Sequence, residues 1–152
     1  MYLKTSRILV TLLCSLSLSG FAAGPEDKRV VATPDAPEAI GPYSQAIRAG
    51  NTLYLSGQIA IDPKTKQLMA TASIEVQTQL VLDNLLAVLK ADGMDMSHVV
   101  STTVFLKDLN NFATMNAIYA SYFKTKPPAR ATVEVARLPR DVQIEISAIA
   151  VK

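Results

Sequence analysis

Two stretches of the chain carry a helical period, and the segments around them read as strand. In 73–92 the apolar residues Val76, Leu80, Val81, Leu85, Val88 and Leu89 recur at spacings of four, one, four, three and one, the stripe of an amphipathic helix. Thr71 or Ser73 can cap its start and Gly93 is a natural stop. In 111–124, Phe112, Met115, Tyr119 and Tyr122 recur at three, four and three. Asn110 is placed to cap that helix, and Pro127-Pro128 forbids its continuation. Strand candidates are 29–33, 45–49, 52–58, 98–107, 130–138 and 142–151. Gly50-Asn51 marks a tight turn between the second and third, 62–66 is a polar turn, and Pro139-Arg140-Asp141 suggests a hairpin joining the last two. Pro34, Pro37 and Pro42 keep the segment between the first two strands out of helix. The order β-β-β-α-β-α-β-β, with two helices for one mostly antiparallel sheet, is an α+β two-layer plan.

Parity in the expected hairpin assigns faces. Val133, Val135, Ile144, Ile146 and Ala148 share an apolar face toward the helices, which turns Arg130, Thr132 and Glu134 outward with Gln143, Glu145 and Ser147. Two helices cover one face of a sheet. The other face, with charges mixed among Phe105, Ile149 and Val151, is then a candidate for burial against copies of the same chain.

The N-terminus is of a different character. Lys4 and Arg7 precede an apolar run from Ile8 to Leu18, and small residues follow, with Gly20 and Ala22 in an A-x-A-like arrangement. This is the layout of a secretory signal, 1–22, cleaved after Ala22. The run is short against the roughly 20 residues of a membrane span, so a retained N-terminal anchor is the weaker reading. A lipoprotein built on Cys14 is weaker still, because Leu12 and Leu13 stand where small residues belong. The expected mature unit is a single domain, 23–152, in the periplasm or outside the cell.

Composition matters only after that division. The 152 residues carry 15 Lys+Arg, 13 Asp+Glu and one cysteine. The excess cations, Lys4 and Arg7, and Cys14 all lie in the signal. The 23–152 unit therefore has 15 − 2 = 13 basic and 13 acidic side chains and no thiol. That excludes a disulfide scaffold, a cysteine nucleophile and a cysteine-ligated metal. It also argues against nucleic-acid binding, which shows a basic patch or stripe.

Few residues in the sequence carry obvious chemistry. There is no Gly-rich phosphate loop, no GxSxG and no metal-spaced His/Asp/Glu cluster. His98, the sole histidine, has no nucleophile motif to serve and reads as structural or surface. Arg130 is a permanently charged, two-pronged carboxylate clamp, and Glu145 on another strand can orient or deprotonate a water. A cross-strand salt bridge between the two is the bland alternative. Tyr43, after the Gly41-Pro42 turn, can simply pack.

Several blocks taken together resemble the reactive-intermediate deaminase family (Rid, also called YjgF-like). They are Ala36-Pro37-Glu38-Ala39-Ile40-Gly41-Pro42-Tyr43-Ser44-Gln45-Ala46, then Ser56-Gly57-Gln58-Ile59 with Asp62-Pro63-Lys64-Thr65, then Gln77-Thr78 with Leu82-Asp83-Asn84-Leu85. Thr102-Thr103-Val104-Phe105-Leu106-Lys107-Asp108-Leu109 and Phe112-Ala113-Thr114-Met115-Asn116 follow in the centre. Pro128-Ala129-Arg130-Ala131-Thr132-Val133-Glu134-Val135-Ala136-Arg137-Leu138-Pro139 and Ile144-Glu145-Ile146 close the chain. The resemblance runs from about Val30 to Lys152.

The resemblance implies a chorismate-mutase-like (ferredoxin-like) fold and a homotrimer whose sheets close a central β-barrel, with ligand clefts between subunits. It implies a hydrolase acting on C–N bonds, of the 2-iminobutanoate/2-iminopropanoate deaminase kind. Such a protein takes reactive imines and enamines of 2-amino acids, such as those derived from 2-aminoacrylate, to 2-oxo acids and ammonia without cofactor or metal. Carried over, the catalytic residues are Glu145 and Arg130. Tyr43, Ser56, Gly57, Asn116, Arg130 and Thr132 line the substrate site. Partners are small imino, enamine or oxo acids and copies of the chain, with no nucleic acid and no membrane once the signal is removed. The alternative is a non-catalytic trimer in the periplasm that binds small carboxylates or acts as a holdase. Thr132 departs from the family, which usually has a cysteine there, and the export signal departs from its usual place beside cytosolic metabolism.

Overall fold

A computed structural model describes residues 28–152. The expected signal at 1–22 lies outside those residues. The elements are β1 (Lys28–Val31), β2 (Ala46–Ala49), β3 (Thr52–Gln58), α1 (Ile74–Ala91), β4 (Val99–Leu106), α2 (Phe112–Tyr122), β5 (Ala129–Glu134) and β6 (Ile144–Val151). They follow the expected order and make one six-stranded sheet, β1-β2-β3-β6-β4-β5, with both helices on one face. No described helix is long and apolar enough to cross a membrane.

Local signals act much as the sequence implies. Gly50 takes the left-handed backbone of the β2–β3 turn (φ 53), and Gly93 does the same after α1 (φ 68), where a side chain would be strained. The buried face of α1 is rotated from the expected stripe. Val76 is exposed, whereas Gln77, Thr78 and Asn84 are buried and spend their polar atoms on backbone. Val81, Leu82, Leu85, Val88 and Leu89 are almost wholly buried, each contributing about 1.5–3 kcal/mol of burial. Neither expected cap makes a side-chain capping bond. Ser73 holds the α1 N-cap position without one, and Asn111 rather than Asn110 precedes α2, after a short turn capped by Asp108.

The last two strands depart from expectation. They are not a hairpin: β6 lies in the middle of the sheet, antiparallel to β3 and β4, while β5 runs parallel to β4 at the edge. The connection between them carries two left-handed residues, Arg140 (φ 54) and Asp141 (φ 61). The strand with the more apolar inner row, Ile144, Ile146, Ala148 and Ala150, takes the site with two neighbours.

This pairing reverses the expected faces of β5. Thr102 is opposite both Ala148 and Arg130, and Val104 is opposite both Ile146 and Thr132. Arg130 and Thr132 are therefore on the helix side. Glu145, Phe105 and Val133 form one row on the opposite face, and Val133 is exposed. That outer face also shows exposed Val30, Tyr54, Ile149 and Val151.

At the far end of α1, the Asp92 carboxyl is fully buried and paired with Arg29 of β1 and Arg48 of β2, the latter at 2.9 Å. The Lys152 ammonium donates to the Asp92 carbonyl at 2.9 Å, so both ends of the described chain are tied to one helix terminus.

Candidate active site

The pairing of β3 with β6 slips between Leu55↔Ala148 and Gln58↔Ile146, so Ser56 and Gly57 together face the single residue Ser147. A bulge of this kind redirects side chains. Here it brings the backbone of Gly57 against Glu145. A Cβ on Gly57 would stand 2.0 Å from Glu145 Oε1, 2.7 Å from Cδ and 3.0 Å from Cγ. The lack of a side chain at 57 is what gives the Glu145 carboxyl its position.

Glu145 opens into a cavity of about 340 Å³ shared with Tyr43, Ser56, Gly57, Ile40, Ile59 and Pro139. Partial burial holds its pKa above the ordinary carboxylate value, and among the described residues it makes no salt bridge. The Ser56 hydroxyl donates to the Ser44 carbonyl at 2.7 Å, and its backbone N–H donates to Gln45 O at 3.0 Å. These bonds close the Tyr43 loop onto β3. Tyr43 is about half exposed, and its hydroxyl accepts the Ile40 N–H at 3.2 Å. The buried Gln45 amide fixes the same loop by donating to the carbonyls of Thr33, Ala36 and Pro37.

The remaining expected site residues gather elsewhere. The Arg130 guanidinium carbon lies 4.6 Å from the ring centre of Tyr119 and 5.7 Å from that of Phe112. Two aromatic faces thus hold the cation by stacking, and among the described residues no carboxylate claims it. Tyr119 is itself braced, its hydroxyl 2.7 Å from Thr102 Oγ1. Burial raises its pKa against the opposing effects of Thr102 and the Arg130 charge. Asn116 lies four residues after Phe112 and three before Tyr119, on the same helix face. The Thr132 hydroxyl is buried with no hydrogen-bond partner. Phe112 and Tyr119 are the side chains around Arg130 that sequence reading missed. They appear there as a helix stripe, and only the β4–β5 register shows that Arg130 lies across them.

One chain therefore presents two half-sites. Tyr43, Ser56, Gly57 and Glu145 share a cavity on one side, Arg130, Asn116 and Thr132 lie on the helix side, and the sheet itself separates them, with β4 between β6 and β5. The cross-strand Arg130–Glu145 salt bridge does not form. His98 is used structurally: it accepts the Asp95 N–H on Nδ1 at 3.2 Å and closes a capping box. Asp95 in turn is held at a pKa of about 2, chiefly by its bonds from Ser97.

Comparison with known proteins agrees with the fold. The family model described as endoribonuclease L-PSP matches residues 33–152. A RutC family protein of Sulfurisphaera tokodaii is 56% identical over 122 residues, covering 80% of this chain and 97% of that protein. The 2-iminobutanoate/2-iminopropanoate deaminase of Escherichia coli is 49% identical over 127 residues, 82% of this chain and 98% of the relative. Among solved structures, Escherichia coli TdcF with bound serine superposes with a TM-score of 0.78 at 41% identity, covering 82% of this chain and 98% of that one. The chain belongs to the reactive-intermediate deaminase (Rid, YjgF-like) family.

Proposed function

We propose that the protein hydrolyses 2-imino acids, and the enamines that tautomerise to them, to 2-oxo acids and ammonia without a cofactor. The observation that carries this reading is Glu145: a carboxyl with a raised pKa, seated in a small cavity against the side-chain-free backbone of Gly57. Names within the family diverge between endoribonuclease and deaminase. A lone acid in a pocket of this size suits a small substrate, and a charge-balanced 23–152 unit does not suit a polyanion.

The chemistry balances with these groups. Arg130, stacked on Tyr119 and Phe112, keeps its guanidinium edge for a two-pronged grip on the substrate carboxylate. Water adds to the imine carbon as Glu145 takes one of its protons. That proton passes to nitrogen, giving a carbinolamine; Glu145 then carries the carbinolamine hydroxyl proton to nitrogen as well, the C–N bond breaks, ammonia leaves and the carbonyl forms. Tyr43 and Ser56 line the reacting side, and Asn116 and Thr132 line the side that holds the carboxylate.

Because the two half-sites face apart in one chain, the reading requires a second copy, with Glu145 of one meeting Arg130 of another. A homotrimer closing the exposed apolar sheet face into a barrel supplies that geometry, and Tyr54 and Ile149 offer the surface for it. We place the mature protein, 23–152, in the periplasm or outside the cell, on the strength of the signal-like segment alone.

The test is ammonia release from imines generated in situ by an amino-acid oxidase, together with sedimentation to measure assembly. The protein accelerates release, and Arg130→Ala lowers kcat/KM at least about 100-fold, as truncation of a charged clamp does, without changing the oligomer. Equal rates with and without the protein overturn the reading.

A further inference from the structure

A second cavity, of about 300 Å³, lies beside the one that holds Glu145. The two share Ile40, and they meet along two short stretches of chain: Ile59 and Pro139 border the first, and Ile61 and Arg140 border the second. Ile59 and Ile61 belong to one apolar cluster with Leu138 and Val142, so the same cluster borders the Glu145 cavity and its neighbour. A longer side chain therefore has a defined path onward.

The charges at the rim are not equally committed. Lys66 pairs with Glu38 at 3.3 Å. Asp62 accepts the backbone N–H groups of Lys64 and Thr65 at 2.7 and 3.0 Å, which holds its pKa low. Asp141, next to Arg140 in the chain but outside the cavity lining, is taken by Arg137 through two bonds, at 2.7 and 3.0 Å. Of the two cations that line the cavity, Lys66 and Arg140, Arg140 is the one with no ion pair among the described residues. Its backbone is left-handed (φ 54, ψ 25), a conformation that glycine meets without strain. A strained non-glycine residue at the edge of a cavity points to a use for its side chain.

We propose that this second cavity, with Arg140 at its rim, is a side-chain subsite for 2-imino acids bearing a second anionic group, such as the imine derived from glutamate. The inference rests on the Glu145 cavity being the reacting site. The substrate's chain crosses Ile40 and Ile59 and lies over Ile61. Its terminal carboxylate then meets the one uncommitted cation of the rim, a charge-assisted contact of the kind arginine makes.

The experiment compares the imines of glutamate and methionine, each generated by its oxidase, in the unmodified protein, Arg140→Gly and Arg140→Glu. Glycine removes the cation and relieves the backbone, so a loss in that variant is not a folding defect. The ratio of kcat/KM for the glutamate-derived over the methionine-derived imine is expected to fall about fivefold in Arg140→Gly, an exposed charge contact of about 1 kcal/mol, and further in Arg140→Glu. A ratio unchanged in both overturns the proposal. Calorimetry with 2-oxoglutarate and 2-oxobutanoate separates this from a failure of the hydrolytic reading. If neither imine is turned over, tighter binding of 2-oxoglutarate that Arg140→Gly abolishes still supports the subsite, and equal affinities overturn it.

Discussion

Gly57→Ala tests how the site is built. The added methyl would lie 2.0 Å from Glu145 Oε1 and 2.7 Å from Cδ. Ordinary contact begins near 3.4 Å, so the carboxyl must withdraw by about 3.4 − 2.0 = 1.4 Å. Glu145 is a flexible side chain facing a cavity, and Gly57 has no left-handed backbone, so the fold absorbs the change at a cost on the order of 1 kcal/mol or less. Catalysis does not absorb it: a misplacement of about 1 Å lowers rates roughly 100-fold. Steady-state ammonia release therefore shows a loss of that size in kcat, while the melting temperature moves by only a few degrees. Glu145→Asp in the Gly57→Ala background withdraws the carboxyl by about one methylene and restores part of the loss relative to Gly57→Ala alone. A Gly57→Ala protein that is folded and retains kcat within about threefold refutes the claim that this glycine sets the position of Glu145.

The pH dependence follows from the sign of the Glu145 shift. Its folded pKa lies above the unfolded value, so its contribution to stability is full below the unfolded pKa and is lost as pH rises through the folded one. The gap in melting temperature between the unmodified protein and Glu145→Gln should thus shift in favour of Glu145→Gln as pH rises through that window, and a gap constant with pH contradicts the burial argument. Glu145→Gln can still orient water but cannot accept its proton. A rate loss of about 100-fold or more marks Glu145 as a base, and a loss of only a few-fold marks it as a water-orienting group. Asp92→Ala leaves the nearly buried Arg48 without its partner and is expected to cost about 3 kcal/mol, read from denaturant midpoints; a cost under about 1 kcal/mol would show that the pair is dispensable.

Much of the molecule is written locally. Helix period, prolines and the turn glycines 50 and 93 are properties of neighbouring residues, and they place α1, α2 and the β2–β3 hairpin within a residue or two. The candidate site residues were legible only as a resemblance. Pattern alone left Arg130 and Glu145 as a bland ion pair, and it gave Phe112 and Tyr119 no role beyond packing.

Strand pairing was not legible in the same way, because partners come from distant sequence. The 130–138 and 142–151 segments alternate well enough to pair with each other, yet β6 pairs with β3 and β4 and β5 joins β4 in parallel. A side-chain period of two makes the face of every residue depend on that choice. It turned Arg130 and Thr132 toward the helices and left Glu145 outward, against a glycine that a bulge delivers. The elements, their order and the residue types available for chemistry are local properties, readable along the chain. Tertiary structure decided which of those residues meet, since register is set by non-local burial that no single segment contains.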